Sequence, residues 1–158
     1  MSGIPNGSRV PEVLLVEDDP AHAHLFQEAA REAGVSVRIA RAASAEEAWA
    51  RLADPKREPP RVVFLDLNLP GKGGRELLVE LKQHPKLRQV PVVVLSCSND
   101  PDDVKACYRA YANAYVVKPC GWEDLVRLVR SSLEFWVAEA LPWTGHGARA
   151  GCGGWRPM

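Results

Sequence analysis

The sequence predicts an α/β fold, a doubly wound sheet of five parallel strands with five helices, the last of them extended. Three observations predict it. Short apolar runs rich in β-branched residues alternate with stretches of helical periodicity, the order that crossover-connected parallel strands require. Three of the runs are apolar nearly throughout, as strands covered on both faces should be. Helix-start and helix-stop signals fall between the runs rather than within them.

The first run, residues 13–16, is Val-Leu-Leu-Val. Asp19-Pro20 then supplies an N-cap and an N1 proline; Leu25, Phe26, Ala29, Ala30 and Ala33 recur on one face until Gly34 stops the helix. Residues 35–40 are the second strand. Ser44, with Glu47 three residues on, forms a capping box that opens a helix through Ala48, Trp49 and Leu52. A polar, proline-stiffened loop, residues 54–61, leads to the third strand at 62–65. Gly73-Gly74 precedes a helix marked by Leu77, Leu78 and Leu81, and the fourth strand follows at 92–95. Asp100-Pro101-Asp102-Asp103 opens the fourth helix through Val104, Cys107, Tyr108 and Tyr111. The fifth strand, 115–117, leads to a helix carrying Leu125, Leu128, Val129, Ser132 and Trp136 and running on toward Ala140. Phe26 and Trp49 read as core.

The chain has 158 residues with 20 Lys and Arg against 20 Asp and Glu, 46% hydrophobic and 25% charged. That is one soluble domain's worth of ordinary composition, able to bury roughly two-thirds of its unfolded surface. Charge balance without a basic block argues against a general nucleic-acid binder, and no apolar run approaches the length of a membrane span. Cys97, Cys107, Cys120 and Cys152 show neither C-x-x-C nor zinc spacing, so reduced thiols and a cytoplasmic location are expected. Residues 1–10 lack the apolar stretch of a secretory signal and read as a flexible N-terminus; residues 11–141 read as the domain; the Gly-rich residues 142–158 read as a flexible tail.

The working edge of such a sheet lies outside the carboxyl ends of its strands. There the first strand ends in Glu17-Asp18-Asp19, the third in Asp66 followed by Leu67-Asn68, the fourth in Ser96 and the fifth in Lys118-Pro119. Acidic groups brought together from two strands repel unless a hard divalent cation lies between them, and Mg²⁺ takes a few carboxylates plus water. A carboxylate can attack phosphorus, which makes Asp66 a candidate acceptor. A cation, Lys118 and Ser96 would meet the charge on the equatorial oxygens. Asp19 reads as a helix cap rather than a ligand, and His22 and His24, two apart on a helix, as solvated side chains. Cys97 and Cys120 flank the site and are candidates for oxidation.

This set, in this order, resembles the receiver domain of two-component response regulators over about residues 11–141. The motifs are Leu-Leu-Val-Glu-Asp-Asp, Val-Phe-Leu-Asp-Leu-Asn-Leu-Pro-Gly, Val-Val-Leu-Ser and Tyr-Val-Val-Lys-Pro, each closing a strand. The resemblance implies a flavodoxin-like receiver fold with Asp66 as phosphoacceptor. It also implies Asp18 as a direct Mg²⁺ ligand, Glu17 acting on the metal through water, and Asn68 offering its backbone carbonyl. Ser96 matches the switch hydroxyl, Tyr115 the aromatic that follows it, and Lys118 the group that contacts the phosphoryl oxygens, with a cis bond implied before Pro119. The partner implied is a sensor histidine kinase, and the output is a changed protein surface rather than an enzymatic product. Gly73 stands where the family often has Asp and should loosen the entry to the third helix. Ser96 stands for the commoner Thr. Asn68 and Ser98 occupy positions that tune water access in the family.

A narrower resemblance joins Glu-Phe-Trp-Val-Ala-Glu-Ala-Leu-Pro after the fifth helix to the single-domain regulators that partner bacterial phytochrome kinases. It implies a homodimer supported by the last helix, with Leu133, Trp136, Val137 and Leu141 as an apolar stripe needing a partner surface; Trp122 and Trp143 are further aromatics to place. Two rivals stand beside this reading. A haloacid-dehalogenase-type phosphatase would need an acid two residues after its nucleophile, where this chain has Asn68. A receiver-fold scaffold that docks or dimerises without phosphorylation would usually lack part of the acid, Asp and Lys set that is whole here.

Overall fold

The computed structural model describes residues 10–140 and 142–143. Five strands, β1 (Glu12–Val16), β2 (Arg38–Ala42), β3 (Val63–Asp66), β4 (Val92–Ser96) and β5 (Ala114–Val117), form one sheet in the order β2-β1-β3-β4-β5, with every neighbouring pair parallel. The helices between and after them are α1 (Pro20–Ala33), α2 (Ala45–Ala53), α3 (Gly74–Gln83), α4 (Pro101–Arg109) and α5 (Trp122–Leu133).

Alternation along the central strands divides the core into two layers. Leu14, Val16, Val63, Leu65, Val92 and Val94 face α2, α3 and α4, where Ala48, Leu77, Leu78, Leu81 and Cys107 are buried. Val13, Leu15, Val62, Phe64, Val93 and Leu95 face α1 and α5. On that side the Phe26 and Phe64 rings meet at 5.2 Å, and Ala23, Ala29 and Ala30 let α1 lie close to the sheet. The order reverses between β1 and β3, so the crevice at their carboxyl ends is the place where such sheets hold ligands.

Local chemistry sets the helix ends. Asp19 Oδ1 accepts from the Ala21 N–H at 2.8 Å, and Gly34, at φ 73°, closes α1 in the left-handed region that glycine adopts without strain. Ser44 Oγ accepts from Glu47 N–H at 3.1 Å, while the Glu47 carboxylate reaches back to the Ala43 N–H rather than to Ser44, a capping box displaced by one residue. Asp100 caps α4 through the Asp102 N–H.

Four expectations change. β2 begins at Arg38, not Val35, because parallel pairing with β1 starts where Glu12 meets Arg38; the apolar residues before it pack half-buried below the strand. Leu25 is 43% exposed and lines a cavity between α1 and α5 instead of joining the core. The peptide bond before Pro119 is trans, the isomer that X-Pro bonds favour by default, and Lys118 reaches the acidic edge from that backbone. The last helix does continue, but as a π-helical segment over Glu134–Glu139, with Ala140 N–H bonded to Phe135 O. Leu133, at the end of α5, and Val137, within the π segment, are buried in the chain's own α1–α5 layer, with Trp136 half-buried against it. They are not a bare stripe; the exposed aromatic there is Phe135, 54% accessible, edge-on to Trp136. Leu141 lies outside the described residues, as do residues 1–9 and 144–158 of the expected termini.

Candidate functional site

Glu17, Asp66 and Ser96 are the buried polar or charged residues among those described, and all three lie at the carboxyl edge of the sheet. Their positions follow from the strands. Glu17 is the first residue past β1, Asp66 the last of β3 and Ser96 the last of β4, so parallel register delivers them side by side. Glu17, half-buried Asp18 and Asp66 each offer a carboxylate oxygen within 4.8 Å of the others.

Lys118, one residue past β5, reaches across this edge. Its Nζ donates to Glu17 Oε2 at 2.9 Å and to Asp66 Oδ2 at 3.2 Å, while its backbone N–H donates to Ser96 O at 2.8 Å. Burial pushes the Glu17 carboxyl above the usual carboxylate range, with Lys118 opposing and Asp66 adding to the rise. Burial pulls the Lys118 ammonium down, but its bonds to Glu17 and Asp66 outweigh this and hold it above the ordinary lysine value. The remaining Asp66 oxygen, Oδ1, accepts from the Asn68 N–H at 3.0 Å, which turns the loop after β3 back over the strand.

An all-oxygen donor set from three carboxylates suits a hard divalent cation rather than a soft one. The expected residues thus come together: Glu17, Asp18, Asp66 and Lys118 in contact or nearly so, with the Asn68 backbone on Asp66. Ser96 Oγ is held differently, accepting from the Ser98 N–H at 3.1 Å, and the half-buried Tyr115 donates its hydroxyl to Ser98 O at 2.8 Å. Asp19 is occupied as the α1 cap, and that backbone bond from Ala21 holds its pKa below the ordinary value.

Two supports were not foreseen. Arg41 of β2 donates through Nε to Glu17 O at 3.0 Å and through Nη2 to Asp18 O at 2.9 Å, fixing the backbone of the acidic pair. The signal available was the second of two arginines in a short strand, Arg-Ile-Ala-Arg-Ala, placed next to its carboxyl end. Gly74 opens α3 so close to the third strand's end that its N–H bonds Leu67 O at 3.2 Å. In the sequence the paired glycines signal a helix start, and nothing in their spacing shows the close approach to Asp66.

Comparison with known proteins gives the same picture. The model of the response regulator receiver domain matches residues 13–130. The probable methanogenesis regulatory protein FilR2 of Methanothrix harundinacea is 41% identical over 79% of this chain and 83% of its own length. Response regulator Rcp1 of Synechocystis is 39% identical over 79% of this chain and 88% of its own. The structure of its Mn²⁺-bound form superposes with a TM-score of 0.76 at 35% identity, covering 84% of this chain and 98% of that one. The phosphorylated cyanobacterial phytochrome response regulator RcpA superposes with a TM-score of 0.78 at 36% identity, covering 85% of this chain and 99% of that one. With the fold, the acidic cluster and the family match in agreement, the chain belongs to the response regulator receiver family.

Proposed function

We propose that Asp66 accepts a phosphoryl group from the phosphohistidine of a sensor histidine kinase in a Mg²⁺-dependent reaction, and that the acyl phosphate alters a protein-binding surface. The observation that carries this reading is Lys118 bonded at once to Glu17 and Asp66, which places an ammonium beside the carboxylate that would attack phosphorus. Glu17, Asp18 and Asp66, with the backbone carbonyl of Asn68, would hold the metal. Bound there, Mg²⁺ supplies charge stabilisation to the equatorial phosphoryl oxygens.

An Asp66 carboxylate oxygen forms the new O–P bond as the N–P bond of the phosphoimidazole breaks, and the imidazole nitrogen takes a proton. Lys118 exchanges part of its pairing with Asp66 for the incoming phosphoryl oxygens, keeping its ammonium against charge. Ser96 donates its hydroxyl to a phosphoryl oxygen, and Tyr115 follows through the loop that both contact. The chain acts in this as the acceptor in a phosphorelay, not as a turnover enzyme, with residues 11–141 as the receiver unit.

A cytoplasmic place and a phytochrome-type kinase are part of the reading; the likeness to RcpA, a phytochrome response regulator, supports the kinase class. A homodimer through the last helix is the further part, supported by the exposure of Phe135. Intact-mass spectra with Mg²⁺ and a small acyl-phosphate donor test the central step. One phosphoryl adduct on the wild type and none on Asp66→Asn is the expected result. An adduct that persists on Asp66→Asn moves the acceptor elsewhere, and no adduct from any donor or kinase supports a scaffold of receiver fold.

A further inference from the structure

We infer that Asp103 is a positioning residue for the switch: bridging Ser98 and Arg75, it holds the β4–α4 loop in its resting arrangement and so sets how readily the phosphorylated state is reached. The inference rests on the reading of Asp66 and Ser96 above.

Every polar atom of Ser98 is bonded, within this loop or to the β5 and α4 residues beside it. Its N–H donates to Ser96 Oγ at 3.1 Å, its carbonyl accepts from the Tyr115 hydroxyl at 2.8 Å, and its Oγ accepts from the Asp100 N–H at 3.2 Å. The same Oγ donates to Asp103 Oδ2 at 2.6 Å, a short charge-assisted bond of the stronger kind. Asp103 Oδ1 in turn accepts from Arg75 Nη2 at 3.1 Å. Arg75 is the second residue of α3, next to Gly74, whose backbone is bonded to the segment that follows Asp66. The chain of contacts therefore runs from the loop after β4 to the loop after β3, the two that border Asp66.

Ser96 and Tyr115 are both bonded to one residue, so a new arrangement of either side chain costs it that bond while the Ser98 backbone is fixed. Asp103 fixes it, because it anchors the Ser98 side chain on α4 and, through Arg75, on α3. The Arg75–Asp103 pair is half-exposed and contributes little by itself. Its effect is to orient the carboxylate that Ser98 meets. If phosphorylation requires the Ser98–Asp103 bond to open, that bond lowers the apparent affinity of any ligand that selects the open state, by the factor through which it biases the two populations.

Beryllofluoride with Mg²⁺, a phosphoryl mimic, reads that factor directly when titrated against the full chain. Asp103→Asn and Ser98→Ala are expected to bind it about five- to tenfold more tightly than wild type, in the usual range of a coupling between two states. Arg75→Ala should tighten binding about twofold, Arg75→Lys should restore the wild-type value, and the Ser98→Ala/Asp103→Asn double variant should gain no more than either single, since both act through one bond. Mg²⁺ affinity measured alone should stay unchanged, because Asp103 is not among the clustered acids. Unchanged or weaker beryllofluoride binding by Asp103→Asn and Ser98→Ala, beside a wild type that binds, overturns the positioning role and leaves the phosphoacceptor reading standing. A wild type that binds none overturns both.

Discussion

At position 74 no side chain fits: a Cβ there would stand 2.2 Å from the Asp66 carbonyl oxygen and 2.7 Å from Leu67 Cα, both backbone atoms with little room to yield. Gly74→Ala should therefore cost about 1–3 kcal/mol of stability, as overpacking does. It should also slow phosphoryl acceptance, because relief comes by shifting the strand end that carries Asp66; urea unfolding and the rate of adduct formation check the two effects. Gly73, one residue earlier, faces open space at an extended backbone and caps α3 without a side-chain bond. Gly73→Asp should accordingly add a few tenths of a kcal/mol by capping, the opposite sign at an adjacent glycine. Lys82 supplies a pH test. Its Nζ donates to Arg88 O, Val90 O and Asn113 Oδ1, and burial lowers its pKa from 10.5 to about 8. Between those values the unfolded chain binds more protons at this site, so its contribution to stability rises with pH through that window. Lys82→Met should flatten the slope, and an unchanged slope would assign it to other groups. Glu17, Asp18, Asp66, Ser96 and Lys118 were legible in the sequence because each closes a strand, and a parallel sheet carries strand ends to one edge. Arg41 and Arg75 were not, because their meaning lies in bonds spanning 23 to 28 residues that no local pattern encodes, and Asp103, though only five residues from Ser98, sits in an acidic first turn that reads as helix capping.

The elements themselves were legible wherever local chemistry ends them. Asp19-Pro20 and Gly34 bound α1, and Ser44 and Asp100 open α2 and α4, since caps act within a few residues of the chain. Removing one such cap gives a prediction that separates fold from function. Asp19→Ala should cost about 0.5–2 kcal/mol in urea unfolding. It should leave phosphoryl acceptance near wild type, because Asp19 bonds the Ala21 N–H and is not among the clustered acids. A variant with intact stability and lost acceptance would make Asp19 part of the chemistry instead of the cap. Two features escaped the pattern. The start of β2 depends on where β1 offers a partner, which apolar spacing cannot report. The change to π geometry over Glu134–Glu139 shifts the bonding from i+4 to i+5 for little more than one turn, too short a stretch to appear in the spacing of side chains.

For the whole molecule, that π segment decides which surface remains for a partner. The α1–α5 layer is completed by Val129, Leu133 and Val137, so the last helix supplies this chain's own core before it offers anything outward. Trp136 divides its area between that layer and solvent, and truncating it would disturb folding and assembly together. Phe135 does not share the difficulty, being 54% exposed and held edge-on by the Trp136 ring at 4.9 Å. An exposed, oriented aromatic at the end of the domain is the kind of group on which interfaces concentrate their energy. If the chain dimerises through its last helix, Phe135→Ala should weaken the dimer at least tenfold, the loss of a side chain worth more than about 1.4 kcal/mol at an interface. Its monomer stability should hardly change. Val137→Ala should do the reverse, costing about 1.5–3 kcal/mol of folding stability through lost burial while leaving the association constant alone. Sedimentation equilibrium beside urea unfolding measures both quantities on both variants. Equal association constants for Phe135→Ala and wild type would place the interface on another face. If both variants lost assembly and stability in proportion, folding and dimerisation would be one transition, and the last helix would be common to both.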